Sequence, residues 1–221
     1  MFECNSGKDH VLVSLKRPCS VLSSAVLNGG WVQASHLLNM KVQQNFLGEQ
    51  KVFPTPEETL IEYGKGLGIN GRFVGMMTSA KMSSFRRVTK EAQGVTIDVL
   101  VTAGVSNAKR AGETAEYRMM GERVTNAGTI NLILITNAKL TPAAMTEAVM
   151  VVTEAKTAVL AQLGIISPQT GAIATGTGTD AIAIVSGHGS TQIRFCGKHT
   201  LFGELAAQAV IEAIMQSFNV Q

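Results

Sequence analysis

Between residues 128 and 163 the chain places its clearest strand signal directly before a helix that has no charged face, and that pairing leaves few folds open. Gly128-Thr129-Ile130-Asn131-Leu132-Ile133-Leu134-Ile135 is a nearly continuous apolar run, as expected of a strand central in its sheet. Thr141-Pro142 then caps a helix that runs to about Leu163, with Met145, Val149, Val152, Val159 and Leu163 at helical spacing. Its other face carries Ala144, Ala148, Ala155 and Ala158 where a surface helix would carry charges, so the spacing predicts close packing between other elements.

The remaining patterns surround this unit with more sheet. His10 to Leu15 and Ser20 to Val26 read as strands broken by Pro18 and leading into the turn Asn28-Gly29-Gly30. Thr55-Pro56-Glu57-Glu58 has the hydroxyl, proline and glutamate of a capped helix start, and glycines 64, 66 and 68 end that helix. Phe73 to Thr78 reads as a buried strand, and Phe85 to Val88 with Val95 to Thr102 as a hairpin about Gly94. Ala181 to Val185 and Gln192 to Phe195 read as strands, and Leu201 to about Phe218 as the closing helix. Interspersed strands and helices give an α/β class, and the hairpins make its sheet mixed. No linker or repeat of fixed period divides residues 1–221, so one domain is expected.

Several function classes are poorly supported. A net charge of +3, with the basic residues scattered, is too weak a footprint for a nucleic-acid binder. Three cysteines, Cys4, Cys19 and Cys196, without Cys-x-x-Cys spacing suggest neither a disulfide framework nor a zinc knuckle, and they suit a reducing cytoplasm. No apolar run reaches the roughly 18 residues of a membrane span, so a soluble, unexported protein is expected. Gly66 to Gly71 and Gly176 to Ala181 match the dinucleotide fingerprint in letters only. The first follows a helix and the second precedes a strand, whereas a working one joins strand to helix. There is no Walker loop, no Gly-x-Ser-x-Gly elbow and no histidine pair at metal-ligand spacing, so neither cofactor nor metal is expected.

Chemistry concentrates in two later segments. Ala174-Thr175-Gly176-Thr177-Gly178-Thr179-Asp180-Ala181 alternates hydroxyls with glycines and ends on a carboxylate. The glycines permit close approach of a ligand, and the hydroxyls both donate and accept. About twenty residues on, Gly197-Lys198-His199-Thr200 leads into Gly203-Glu204. Histidine can carry a proton from water to a leaving amine, with a carboxylate to orient it. His199 is therefore the expected proton carrier and Asp180 or Glu204 its partner. Backbone N–H groups of the 176–179 loop are the expected carbonyl clamp. Asn28, Asn107 and Asn131 are candidate hydrogen-bonding groups.

In order along the chain, residues 22–30 (ending Leu27-Asn28-Gly29-Gly30), Val101 to Asn107, Gly128 to Asn131, Thr153-Glu154-Ala155-Lys156, Ala174 to Ala181 and His199-Thr200-x-x-Gly203-Glu204 together resemble the adenosylcobinamide amidohydrolase family. The resemblance implies hydrolysis of the amide that joins aminopropanol to the corrin side chain of adenosylcobinamide, giving adenosylcobyric acid for cobalamin salvage. It places Asn28, Gly29, Gly30, Asn107, Asn131 and the 175–179 run at the substrate, and it lets Met76, Met77, Met119 and Met120 face the macrocycle. The Asp-x-His-x-x-Gly cobalt-ligating motif of another corrinoid-binding family is absent. A non-catalytic corrinoid-binding or carrier protein is the alternative, and the sequence leaves homo-oligomer formation open. The region from Asn137 to Leu163 also resembles the self-cleaving aminopeptidase and ornithine acetyltransferase group, which implies an α-β-β-α sandwich. Only the architecture is carried over, since no scissile site equivalent to that group's is present; were the chemistry shared, a threonine such as Thr175 would be the nucleophile.

Overall fold

The computed structural model describes residues 1–42, 54–115 and 129–218. Its elements run in the order β1 (Phe2–Ser6), β2 (His10–Ser23), β3 (Gly30–Lys41), α1 (Pro56–Gly66), β4 (Phe73–Thr78), a 3-10 turn at Met82–Ser84, β5 (Arg86–Ala92), β6 (Val95–Ala103) and β7 (Ala108–Lys109). There follow β8 (Ile130–Thr136), β9 (Lys139–Leu140), α2 (Pro142–Gln162), β10 (Gly176–Thr177), β11 (Ala181–Ser186), β12 (Gln192–Ile193) and α3 (Leu201–Phe218).

Several ends follow directly from local chemistry. Thr55 accepts the N–H of Glu58 while the Glu58 carboxylate accepts that of Thr55, the reciprocal capping box expected from the sequence. Between β5 and β6, Gln93 and Gly94 take φ of 52° and 73°. Two successive left-handed residues match the right-handed twist of a tight hairpin. Thr141 caps α2 by accepting the N–H of Ala144.

An eight-stranded sheet follows the path β4-β3-β2-β11-β8-β6-β5, with β1 added along β2. The β3–β4 and β11–β8 pairs are parallel and the others antiparallel, so the sheet is mixed as expected. The break anticipated at Pro18 proves to be a register shift between Ser14 and Cys19 inside one long strand. Proline has no N–H for the ladder, and at this irregularity β2 exchanges β1 for β11 as its second neighbour.

The path folds back on itself. β4 and β8 are separated by three strands in the sheet order, yet Asn131 on β8 donates to the Met77 carbonyl of β4 at 2.8 Å. One apolar cluster accordingly joins Val11, Val13, Leu37, Val74 and Met76 from one leaf to Leu100, Ile133, Ile135 and Val185 from the other. Alternate residues of β6, β8 and β11, among them Ile97, Val99, Leu132, Leu134 and Ile184, face outward against α2 and α3. On the opposite side Leu60 of α1 packs with Leu27, Leu38 and Phe73. These contacts give the layers α, β, β, α.

Two strands of the eight-stranded sheet, and the two-residue strands β7, β9 and β10, have no counterpart among those expected from sequence. β3 carries His36, Asn39 and Gln33 in an irregular burial pattern, because its first half lies open and its second half is enclosed on both sides. β1 is short and largely exposed. The strand expected at Gln192 to Phe195 keeps only Gln192–Ile193, and Phe195 stands 63% exposed. Met119, Met120 and Gly128, named above from sequence, lie outside the described residues.

Candidate active site

One end of the sandwich gathers the polar side chains. There β6 ends, β8 and β11 begin, and the 174–180 loop crosses beneath α2, joined to the 104–111 loop by the β7–β10 pair. Asp180 is the hub. Its Oδ1 accepts the Ile130 N–H at 2.9 Å and the Thr177 hydroxyl at 2.5 Å, and its Oδ2 accepts the Thr177 N–H at 3.0 Å. The same Oδ2 pairs with the Lys156 ammonium. The two side chains are only 10% and 8% exposed, so this is a buried ion pair whose charges are also hydrogen-bonded.

Gly176 makes the space for it. A Cβ there would collide with Asp180 Oδ2 and come within 2.8 Å of Lys156 Nζ. Behind the pair runs a chain of buried polar groups. Thr129, whose hydroxyl lies within reach of the Thr179 carbonyl and of Asn131 Oδ1, leads to Asn131; the Asn131 amide donates to Asn39, and Asn39 donates to Thr102. A cleft of about 320 Å³ opens at the same end, lined by Ser79, Lys81, Ser83, Gly104, Val105 and Ser106.

The second expected loop lies elsewhere. Thr200 caps α3, its hydroxyl donating to the Gly197 carbonyl and accepting the Gly203 N–H, while Gly203 has no side chain because a Cβ would strike the carbonyls of Gly197 and Cys196. Glu204 is exposed in the first turn, where a carboxylate suits the helix dipole, and accepts the Gln208 amide at 3.1 Å. The segment leading into α3 lies along α2, with the Cys196 N–H on Glu147 at 2.6 Å and Lys198 paired with Glu154. At 100° per residue, Glu154 and Glu147 stand about 200° and 180° round the helix from Lys156.

Helix α2 therefore separates the two loops. His199 is exposed, and among the described residues no hydrogen bond or ion pair joins it to Asp180 or Glu204. The segment at 197–204 and the loop at 174–180 are thus held by different faces of α2, with no hydrogen bond between His199 and Asp180 among the described residues. Their separation along the chain carries no information about which face of α2 each would meet.

The other expected substrate residues divide. Gly178 and Thr179 are exposed at the loop, with Thr177 half-buried beside them. Thr175 is tied into the loop, since its hydroxyl accepts the Ala111 N–H at 2.8 Å and its carbonyl accepts the Thr157 hydroxyl. Asn131, 1% exposed, spends its amide inside the sandwich. Asn28 takes φ of 54° and donates to the Phe73 carbonyl; Gly29 avoids the Ala25 carbonyl, and Gly30 has φ of 82°. These three residues form the turn that admits β3. Asn107 sits in the 104–111 loop against Gly178, whose Cβ would lie 3.3 Å from its Nδ2.

A model of the adenosylcobinamide amidohydrolase family matches residues 2–221. The chain belongs to that family. It is thus a hydrolase acting on amide bonds. It is 30% identical over 223 residues to the adenosylcobinamide amidohydrolase of Methanosarcina mazei, covering 97% of this chain and 96% of that one. It is 35% identical over 170 residues to an uncharacterized protein of Methanocaldococcus jannaschii, covering 70% of this chain and 66% of the other, slightly under two thirds. Among solved structures, a β-aminopeptidase from a Burkholderia species aligns at TM-score 0.49 and 12% identity, covering 95% of this chain and 78% of that one. The L-aminopeptidase D-Ala-esterase/amidase of Ochrobactrum anthropi aligns at TM-score 0.43 and 8% identity, covering 98% and 82%.

Lys156 stands in the motif Thr153-Glu154-Ala155-Lys156, where sequence alone gives it no role. The signal was available: it is a lysine inside the buried stripe formed by Val152, Ala155, Val159 and Leu160. A cation there requires a carboxylate partner. Cys196 offers no competing chemistry, because burial and, secondarily, the Glu147 carboxylate push its thiol up to about 12. Among the described residues no three of His, Cys, Asp and Glu group as metal ligands, and no helix is long and apolar enough to cross a membrane.

Proposed function

We propose that the protein hydrolyses the amide between the aminopropanol arm and the corrin side chain of adenosylcobinamide, releasing aminopropanol and leaving adenosylcobyric acid, in corrinoid salvage in the cytoplasm. The observation that carries this reading is the buried Lys156–Asp180 pair, set in a glycine and threonine loop at the open end of the sandwich in a member of this family. Amide hydrolysis needs stabilisation of negative charge on the attacked carbonyl and a proton for the leaving amine. An ammonium held by a carboxylate can supply both. Lys156 is accordingly the acid and electrostatic group, and Asp180 fixes its position as well as that of the loop. Water adds to the carbonyl carbon, Lys156 gives its proton to the departing nitrogen as the carbon–nitrogen bond breaks, and a proton lost by the added water restores the ammonium; the acid and amine so formed then equilibrate to carboxylate and ammonium.

The test is a product assay with adenosylcobinamide and its cyano form side by side, following aminopropanol and the corrinoid acid by chromatography. Turnover is expected, with the ratio between the two substrates reporting the upper-ligand preference. Asp180→Asn is expected to lower turnover on the order of a hundredfold while leaving corrinoid binding measurable. Folded wild-type protein that binds both corrinoids and releases aminopropanol from neither is a carrier, and the enzymatic assignment falls.

A further inference from the structure

Among the described residues, Asn107 is the one buried side chain whose polar atoms find no hydrogen-bond partner. Its Nδ2 and Oδ1 are both buried, and neither has a hydrogen-bond partner among the described residues. The contrast with Asn39 and Asn131 is direct, since each of these donates to a neighbouring oxygen at 2.8 Å. Native interiors rarely tolerate an amide with both ends unmade, and such a group calls for an explanation in function or in a missing ligand.

Its position supplies one. Asn107 follows Gly104, Val105 and Ser106, which line the 320 Å³ cleft. On its other side it meets Gly178, where even a methyl group would lie 3.3 Å from Nδ2, and Gly178 belongs to the loop that Asp180 organises. The unpaired amide thus belongs to the loop that borders the cleft and lies against the loop that carries Asp180. It has no bond to break if it turns toward an arriving ligand. Its donor and acceptor lie side by side in one plane, so the matching group must accept and donate in the same way. A carboxylate only accepts and would leave Oδ1 facing a negative charge. An ammonium only donates and would leave Nδ2 unmade. A carboxamide meets both requirements through two parallel hydrogen bonds.

From this geometry we infer that Asn107 is a carboxamide-recognition residue, which seats one peripheral side-chain amide of the ligand and so registers the scissile amide against Lys156 and Asp180. The ligand's identity as a corrinoid rests on the function proposed above; the chemistry of recognition does not. The residue discriminates amide from acid at one position on the rim of the macrocycle.

The experiment measures binding, not hydrolysis. Cyano-form cobinamide and a set of its derivatives, each with one rim amide hydrolysed to the acid, are titrated against wild-type protein and Asn107→Leu, and melting temperature is recorded for both proteins without ligand. Leucine keeps the volume and removes both unmade groups, so Tm is expected to stay level or rise. Kd for the intact cobinamide is expected to weaken on the order of tenfold to a hundredfold, the worth of two hydrogen bonds. One of the acids should bind wild type as weakly as the amide binds the leucine variant, and the variant should no longer tell that acid from the amide. Equal affinity of both proteins for cobinamide overturns the inference, as does a fall in Tm with discrimination intact, which would make the amide an internal brace. Wild type that binds cobinamide without hydrolysing it leaves this inference standing and removes the enzymatic one. Wild type that binds no corrinoid removes both.

Discussion

Lys156→Met is expected to cost the fold about 3–5 kcal/mol, lowering Tm on the order of 10 °C, although methionine is the better residue for a buried helical stripe. The reason is the charge left behind. Asp180 would keep the hydrogen bonds from Ile130 and Thr177 but lose the only cation paired with it among the described residues, in a space where its side chain is 10% exposed. Removing one member of a buried pair is costly because the other stays charged or must take up a proton. Asp180→Asn removes the charge and keeps the shape, so Lys156→Met combined with Asp180→Asn should cost less than the two single changes added together, by about 1–3 kcal/mol. Urea unfolding of the four proteins measures this. A Lys156→Met change within about 0.5 kcal/mol of wild type, the usual range for surface positions, would mean that the pair is not buried in solution.

Gly176→Ala is expected to destabilise by about 3 kcal/mol, at the upper end of overpacking costs, and to abolish most turnover. The backbone at Gly176 is not in the left-handed region, so the effect would come from the added carbon alone. That carbon would meet Asp180 Oδ2 and Lys156 Nζ. Ends of long side chains usually step aside, but here both are held by hydrogen bonds in a buried space. Gly66→Ala is the control. It lies at the end of α1 with nothing within 4 Å of the added carbon, and alanine there should be neutral or stabilising by up to about 1 kcal/mol. Comparable losses at both positions, read from Tm and turnover, would contradict the account.

The elements that sequence rules located are those determined by nearest neighbours. Thr55 with Glu58, Gln93 with Gly94, and Thr141 with Pro142 each fix an end through contacts a few residues long. β3 escaped because its first half lies open and its second half is enclosed on both sides, so no single period describes its twelve residues. The same distinction governs the site. Asp180 and its threonine loop were visible, since their chemistry is local. Lys156 stood in plain view, but its significance depends on facing inward, which follows from the packing of α2 against the sheet and not from the letters around it. The segment that carries His199 and Glu204 returns along the far face of the same helix, a placement that no local pattern encodes. The motif Thr153-Glu154-Ala155-Lys156 serves both faces, with Glu154 holding Lys198 outside and Lys156 holding Asp180 inside.

The most direct measurement of the central claim is hydrolysis of adenosylcobinamide in oxygen-18 water, with mass spectrometry of the corrinoid product from wild type and Asp180→Asn. The account predicts one labelled oxygen in the newly formed carboxylate, stoichiometric release of aminopropanol, and a product signal on the order of a hundredfold smaller from the variant. A folded variant that forms labelled product as fast as wild type would contradict the assignment of the chemistry to the Lys156–Asp180 end of the sandwich.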